Sequence, residues 1–216
     1  MSADPQPRQR DAERTRAEIL DVATEEFSTR GLAGARVDEI AARTRTTKRM
    51  LYYYFGSKDG LYLAVLERAY LGIRALESHL AVDGLPPTAA LRRLCDLTFD
   101  HHEAHPDFIR LVSIENIHHA EHLRASPIRS GLSGPALDVL ERILARGRDA
   151  GLFRDDVDAL DIHLLISSFC IFRTANRHTI AAIFDRDMLD PDRRDHYRRM
   201  LADLVVEFLT AHVGRA

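Results

Sequence analysis

The stretch TTKRMLYYYFGSKDG, from Thr46 to Gly60, holds the only two lysines of the chain, Lys48 and Lys58; the remaining 28 of its 30 basic side chains are arginines. Three consecutive tyrosines, Tyr52, Tyr53 and Tyr54, stand between them. This is the chemistry of an edge that reads a polyanion. Cations neutralise phosphates and release counterions, the main source of non-specific affinity for nucleic acid. A phenol offers a hydroxyl to a phosphate oxygen or base edge and a flat apolar ring to a thymine methyl. Successive helical residues lie about 100° apart, so three tyrosines in a row cannot all face a core. Packing of Tyr53 or Tyr54 against a preceding helix is the alternative use. From Arg36 to Lys58, six basic residues (Arg36, Arg43, Arg45, Lys48, Arg49, Lys58) oppose two acidic ones (Asp38, Glu39), in a chain whose net charge is −3.

A second set of side chains suits a small molecule. His102, Glu115, Asn116, His119, His163, Arg173, Asn176 and Arg177 interrupt otherwise apolar helical stretches near Phe99, Phe108, Phe169 and Phe172. An apolar cavity with a few converging polar groups is what an aromatic or carboxylated effector requires. Arg173, Asn176 and Arg177, at offsets 0, 3 and 4, either hold an anion or bond a helix end or a partner subunit. Six of the 11 histidines fall between His101 and His122, with Glu115, His119 and His122 expected on one helical face. That makes a metal-responsive sensor one alternative, although no HExxH or cysteine spacing accompanies it. A small helical enzyme using His102 with Glu103 is the other, without a nucleophile elbow or phosphate loop. No cofactor, metal or catalytic residue is expected. Cys95 and Cys170 make no CxxC spacing and suit two packed, reduced thiols.

These residues need helices to place them, and the fold class expected is all-α. In TRAEILDVATEEFSTR, Ile19, Leu20, Ala23 and Phe27 line one face, with Gly31 as the stop. VDEIAART gives a short second helix, and KRMLYYYF resumes helical spacing with Met50, Leu51 and Phe55 able to face inward. Two short helices joined by a turn, after a longer one, make a helix-turn-helix. A long helix from Gly60 to Leu80 follows. Thr88 to about His105 is the next, and Pro106 opens another running to Arg124. ALDVLERILARGRDAG ends at Gly151. In DALDIHLLISSFCIFRTANRH the centre, Leu164 to Phe172, is apolar on nearly every side, and the last helix carries Leu201, Leu204, Val205, Phe208 and Leu209. These two helices are expected to form a homodimer interface as a four-helix bundle.

The run IAARTRTTKRMLYYYFGSKDGLYLAVL resembles the N-terminal DNA-binding domain of the TetR/AcrR family of bacterial transcriptional regulators, over about residues 11 to 75. The resemblance implies base or groove contacts from Lys48, Arg49, Met50 and Tyr52. It implies phosphate contacts from Thr47, Tyr53, Tyr54 and Lys58, with Arg36 and Arg14 as further positions. It also implies a homodimer on a near-palindromic double-stranded DNA operator, released by a small-molecule effector. The expected organisation is a flexible arm over 1–10, a DNA-binding domain over 11–58 and a helical effector-binding and dimerisation domain over 59–216. Two departures from the family pattern stand out. The turn is Thr44-Arg45-Thr46 rather than Ala-Gly-Val, which puts Arg45 at the left-handed position at a cost of about 1 kcal/mol. Gly60 also replaces the acidic partner of a capping box, leaving Ser57 as the cap. No apolar run reaches the roughly 18 residues of a membrane span, and a cytoplasmic protein is expected.

Overall fold

The computed structural model describes residues 7–132 and 134–211. Among the described residues the regular structure is helical, and no helix is long and apolar enough to cross a membrane. By contacts the chain groups into two units. One comprises the described residues up to Ala69 with Arg110–Pro127; the other comprises Tyr70–Ile109 and the described residues from Ile128 onward. The arm expected over 1–10 lies outside the described residues as far as residue 6, and residues 7–10 open the first helix.

The first unit is built on α1 (Pro7–Gly34), α2 (Val37–Arg43), α3 (Lys48–Phe55) and the start of α4 (Lys58–Ser78). Ile19, Ala23 and Phe27 of α1 meet Ile40, Leu51, Leu61, Tyr62 and Val65 in one apolar core. Each fully buried side chain of this size contributes about 1.5–3 kcal/mol. At Gly31 the backbone leaves helical geometry with φ at 69°, where glycine escapes the Cβ clash. The chain then turns into α2, its direction fixed by the Arg36 amide donating to the buried Glu26 carboxylate at 3.1 Å. The end of α6 (Pro106–Ile117) and α7 (Glu121–Ala125) complete this unit, with Leu111 in its core.

The helix expected from Pro106 to Arg124 is therefore two. His119 and Ala120 take positive φ, 55° and 57°, and reverse the chain between α6 and α7. The buried Glu115 carboxylate accepts from the Leu123 amide at 3.0 Å and from His122 Nδ1 at 3.1 Å, which ties the reversed segment down. Glu115, His119 and His122 thus do not share a helical face.

The second unit packs α5 (Pro87–Ala104) against α8 (Gly134–Asp149), α9 (Ala159–Ala175) and α11 (Pro191–Thr210). α5 is central: Leu91, Leu94, Cys95 and Phe99 meet Ile143 of α8, Ile166 and Cys170 of α9, and Leu201 and Val205 of α11. Asp158 and Asp161 form a capping box that starts α9, while Asp190 caps α11 with Pro191 in its first turn. α10 (Arg177–Phe184) follows α9 after a break at Asn176.

Candidate nucleic-acid interface and effector region

α3 divides its residues sharply. Leu51 is fully buried and anchors the helix, whereas Met50, Tyr52 and Tyr53 are 37%, 40% and 78% exposed. Thr47, Lys48, Arg49 and Arg36 are exposed beside them. The helix start is pinned by Thr47, whose hydroxyl accepts from the Met50 amide at 3.2 Å and satisfies one of the orphan amides of the first turn. The turn before it places Arg45 in the left-handed region, φ 52°, with the Thr46 amide closing back on the Ala41 carbonyl.

Past the helix, Gly56 is also left-handed, and the Ser57 hydroxyl accepts from the Gly60 amide at 3.0 Å to cap α4. A side chain at Gly60 would run into the Phe55 carbonyl, so glycine is required for α3 and α4 to approach this closely. Tyr54 is half-buried and packs on the core with Phe55, against which its ring tilts. Its packing is the alternative use foreseen for it.

The cations are held in place before any ligand arrives. Lys48 Nζ lies 3.2 and 3.3 Å from the two carboxylate oxygens of Asp38. Lys58 Nζ donates to the Ala33 carbonyl at 3.3 Å, fastening the start of α4 to the end of α1. Arg43 pairs with Glu25. Exposed pairs of this kind contribute little stability, about 0–1 kcal/mol, so they orient the cations at small cost to any later phosphate contact.

The residues expected to hold an effector do not all converge. Glu115, Asn116 and His119 belong to the first unit, where Glu115 is consumed by the bonds described and the Asn116 side chain donates to the Val112 carbonyl at 2.9 Å. In the second unit Arg173 is buried between Phe99 and Tyr197 and pairs with Glu103 at 2.5 Å. Asn176 donates to the Phe172 carbonyl, closing α9, and Arg177 opens α10 with Nε donating to His178. The three therefore make no shared anion-binding face; helix-end bonding was the other reading of Asn176. Phe172 is 57% exposed and Phe169 half-buried on the core.

A different grouping does converge in the second unit. His102 and Phe108, both expected, meet His101 and Tyr70: the Phe108 ring stands edge-on to His101, His102 and Tyr70 at centroid distances of 5.7, 5.6 and 5.3 Å. His102 Nδ1 donates to the Thr98 carbonyl at 2.8 Å. Burial pulls His102 down to about 4 and, together with the neighbouring histidines and Arg74, pulls His101 down to about 3; His163 is lowered in the same way. All three imidazoles are neutral at pH 7. Arg74, buried and paired with Glu77 at 2.5 Å, is a charge that acts on all three imidazoles. Sequence spacing missed Arg74 and Glu77 because nothing local marks an arginine inside a long exposed-looking helix as buried. Among the described residues no three potential metal ligands come together.

Two family models match the chain: bacterial regulatory proteins of the tetR family over residues 19–65, and the tetracyclin repressor-like C-terminal domain over residues 87–205. The HTH-type transcriptional repressor NicS of Pseudomonas putida is 37% identical over 202 residues, covering 94% of this chain and 95% of that protein. Among solved structures, the transcriptional regulator SCO4942 of Streptomyces coelicolor superposes with a TM-score of 0.67 at 31% identity, over 90% of this chain and 98% of that one. A tetR-family regulatory protein from Rhodococcus RHA1 gives a TM-score of 0.70 at 21% identity, over 90% and 96% of the two chains, a likeness of fold.

Proposed function

The chain belongs to the TetR family of bacterial transcriptional regulators, DNA-binding proteins rather than enzymes, and from that premise we propose how this member reads DNA and responds to a ligand. It is a ligand-responsive repressor, and the enzymatic and metal-sensing alternatives have no support. α3 is the reader: Lys48, Arg49, Met50 and Tyr52 meet base edges in the major groove, and Arg36, Thr47, Tyr53 and Lys58 meet phosphates. The observation that carries this assignment is the division of α3 into one buried anchor, Leu51, and an exposed polar edge. Tyr54, held against the core, contributes only its hydroxyl edge.

The repressor works as a homodimer. Its second unit leaves two apolar stripes in solvent at spacings of four or eight residues: Leu160, Leu164 and Phe172 on α9, and Met200, Leu204 and Phe208 on α11. Exposed apolar rows flanking a packed core fit a four-helix bundle shared between two copies. Two reader helices about 34–36 Å apart then reach successive major grooves of a near-palindrome. The effector is received by the second unit at the Phe108, His101 and His102 group. α4 is one continuous helix that begins in the first unit and ends in the second, and it is the mechanical link. The effector acts only by binding one spacing of the readers better than the other.

Selection of genomic fragments by purified protein, followed by footprinting, tests this reading. Protection of two half-sites one helical turn apart is expected. A single unpaired half-site, or uniform protection without sequence preference, contradicts it.

A further inference from the structure

Within the second unit, α4, α5 and α11 enclose a cleft of about 360 Å3, inside the range of small-molecule pockets. Its apolar wall is Leu76 of α4 and Leu80 just past the end of that helix, with Leu97 and Ala104 of α5. The polar side is nearly self-neutralised. Arg198 lies 3.3 Å from Asp96 and 3.1 Å from Asp100, and Asp100 also takes Arg194 at 2.5 Å. Arg93, exposed at the same cleft, makes no ion pair among the described residues. It is the cation left for a ligand.

Two further observations shape that ligand. His101 lines the cleft, is only 7% exposed, and its Nδ1 has no hydrogen-bond partner among the described residues. Such a buried polar atom carries a standing desolvation cost. His105, also on the cleft, stacks on His101 with centroids 4.3 Å apart and planes 20° from parallel. His101 is neutral at pH 7, held at about 3 by burial, the neighbouring histidines and Arg74, and the stacked pair presents a flat imidazole face on which an aromatic ring can stack. Arg93 and His101 stand eight residues apart on α5, about 12 Å of helix rise. A body of one or two fused rings spans that distance once the arginine side chain folds over it.

We propose that the cleft between α4, α5 and α11 is a binding site for a flat organic carboxylate, its ring between the leucine wall and the His101–His105 stack and its carboxylate on Arg93. Asp96 feels the Arg93 charge but is paired with Arg198, as is Asp100, so the ligand carboxylate gives Arg93 the direct ion pair it lacks among the described residues.

The site shares His101 with the effector group above and rests on that reading; the probe is 2-naphthoate, titrated calorimetrically into the full-length protein without DNA, so that failure to bind at this cleft is read apart from any effect on DNA binding. Saturable binding of one molecule per chain is expected. Arg93→Gln, on an exposed position that leaves the fold intact, weakens it by about tenfold or more, the loss of one charge-assisted contact. Leu97→Trp fills the cleft and removes binding. The neutral isostere 2-naphthol fails to compete at equal concentration, and the His101 and His105 ring signals shift on titration. Absence of saturable binding up to about 1 mM, a range in which even weak pocket ligands are seen, overturns the proposal. Binding that Arg93→Gln leaves unchanged overturns it equally.

Discussion

Arg45 holds the left-handed position of the turn between α2 and α3, φ 52°, where a Cβ costs about 1 kcal/mol and glycine costs nothing sterically. Replacing Arg45 with glycine is expected to raise stability by up to about 1 kcal/mol in urea unfolding, less the entropy glycine adds to the unfolded chain. The buried histidines give the opposite sensitivity. His101 and His102 titrate near about 3 and about 4 in the folded protein against 6.5 unfolded. Between pH 6.5 and 4 the unfolded chain binds more protons than the native one. Stability is therefore complete above pH 6.5 and falls as pH drops, by up to about 1.4 kcal/mol per pH unit for each histidine. Chemical denaturation across that range checks the slope, which His102→Leu should reduce by the share of one histidine, His101 and His163 being lowered as well. Residues of this kind were only partly legible in the sequence. The left-handed Arg45 followed from the resemblance to the family's turn, but the Arg173–Glu103 pair joins positions 70 apart and leaves no local signal. The need for glycine at position 60 is likewise a matter of one carbonyl, that of Phe55, and cannot be read from spacing.

At the scale of the element, α3 exists because Thr47 caps it and Leu51 anchors it; an eight-residue helix has too few internal bonds to stand alone. Leu51→Ala should cost about 2–5 kcal/mol and loosen the reader, visible as faster amide exchange across Lys48–Phe55. The helices themselves were legible because apolar residues recur at 3.6-residue spacing and caps mark their starts. α3 falls at the expected residues, and α2, α5 and α8 within a few. The division of α6 from α7 was not legible, since His119 and Ala120 reverse the chain without a glycine or proline. What holds that reversal is tertiary: Glu115, buried, collecting the His122 ring and the Leu123 amide. The final helix also splits what looked like one stripe. Leu201, Val205 and Leu209 enter the core, while Leu204 and Phe208 remain outside.

For the whole molecule, the proposed homodimer rests on those outward residues. A charge placed in both stripes, Leu164→Arg with Leu204→Arg, should convert a dimer into a monomer by light scattering without unfolding either unit, because both positions are about half exposed in the single chain. Operator affinity should then drop by about 10²–10⁴, the effective-concentration advantage of engaging two half-sites together. The central claim is that the exposed edge of α3 reads DNA. The most direct measurement is binding of the protein to fragments of its own upstream region across a salt series, beside the Lys48→Ala/Arg49→Ala double variant. The account predicts saturable, salt-sensitive binding to one fragment, lost in the variant together with roughly two phosphate-equivalents of salt slope per reader helix at most. Binding of the variant with wild-type affinity and slope would contradict it.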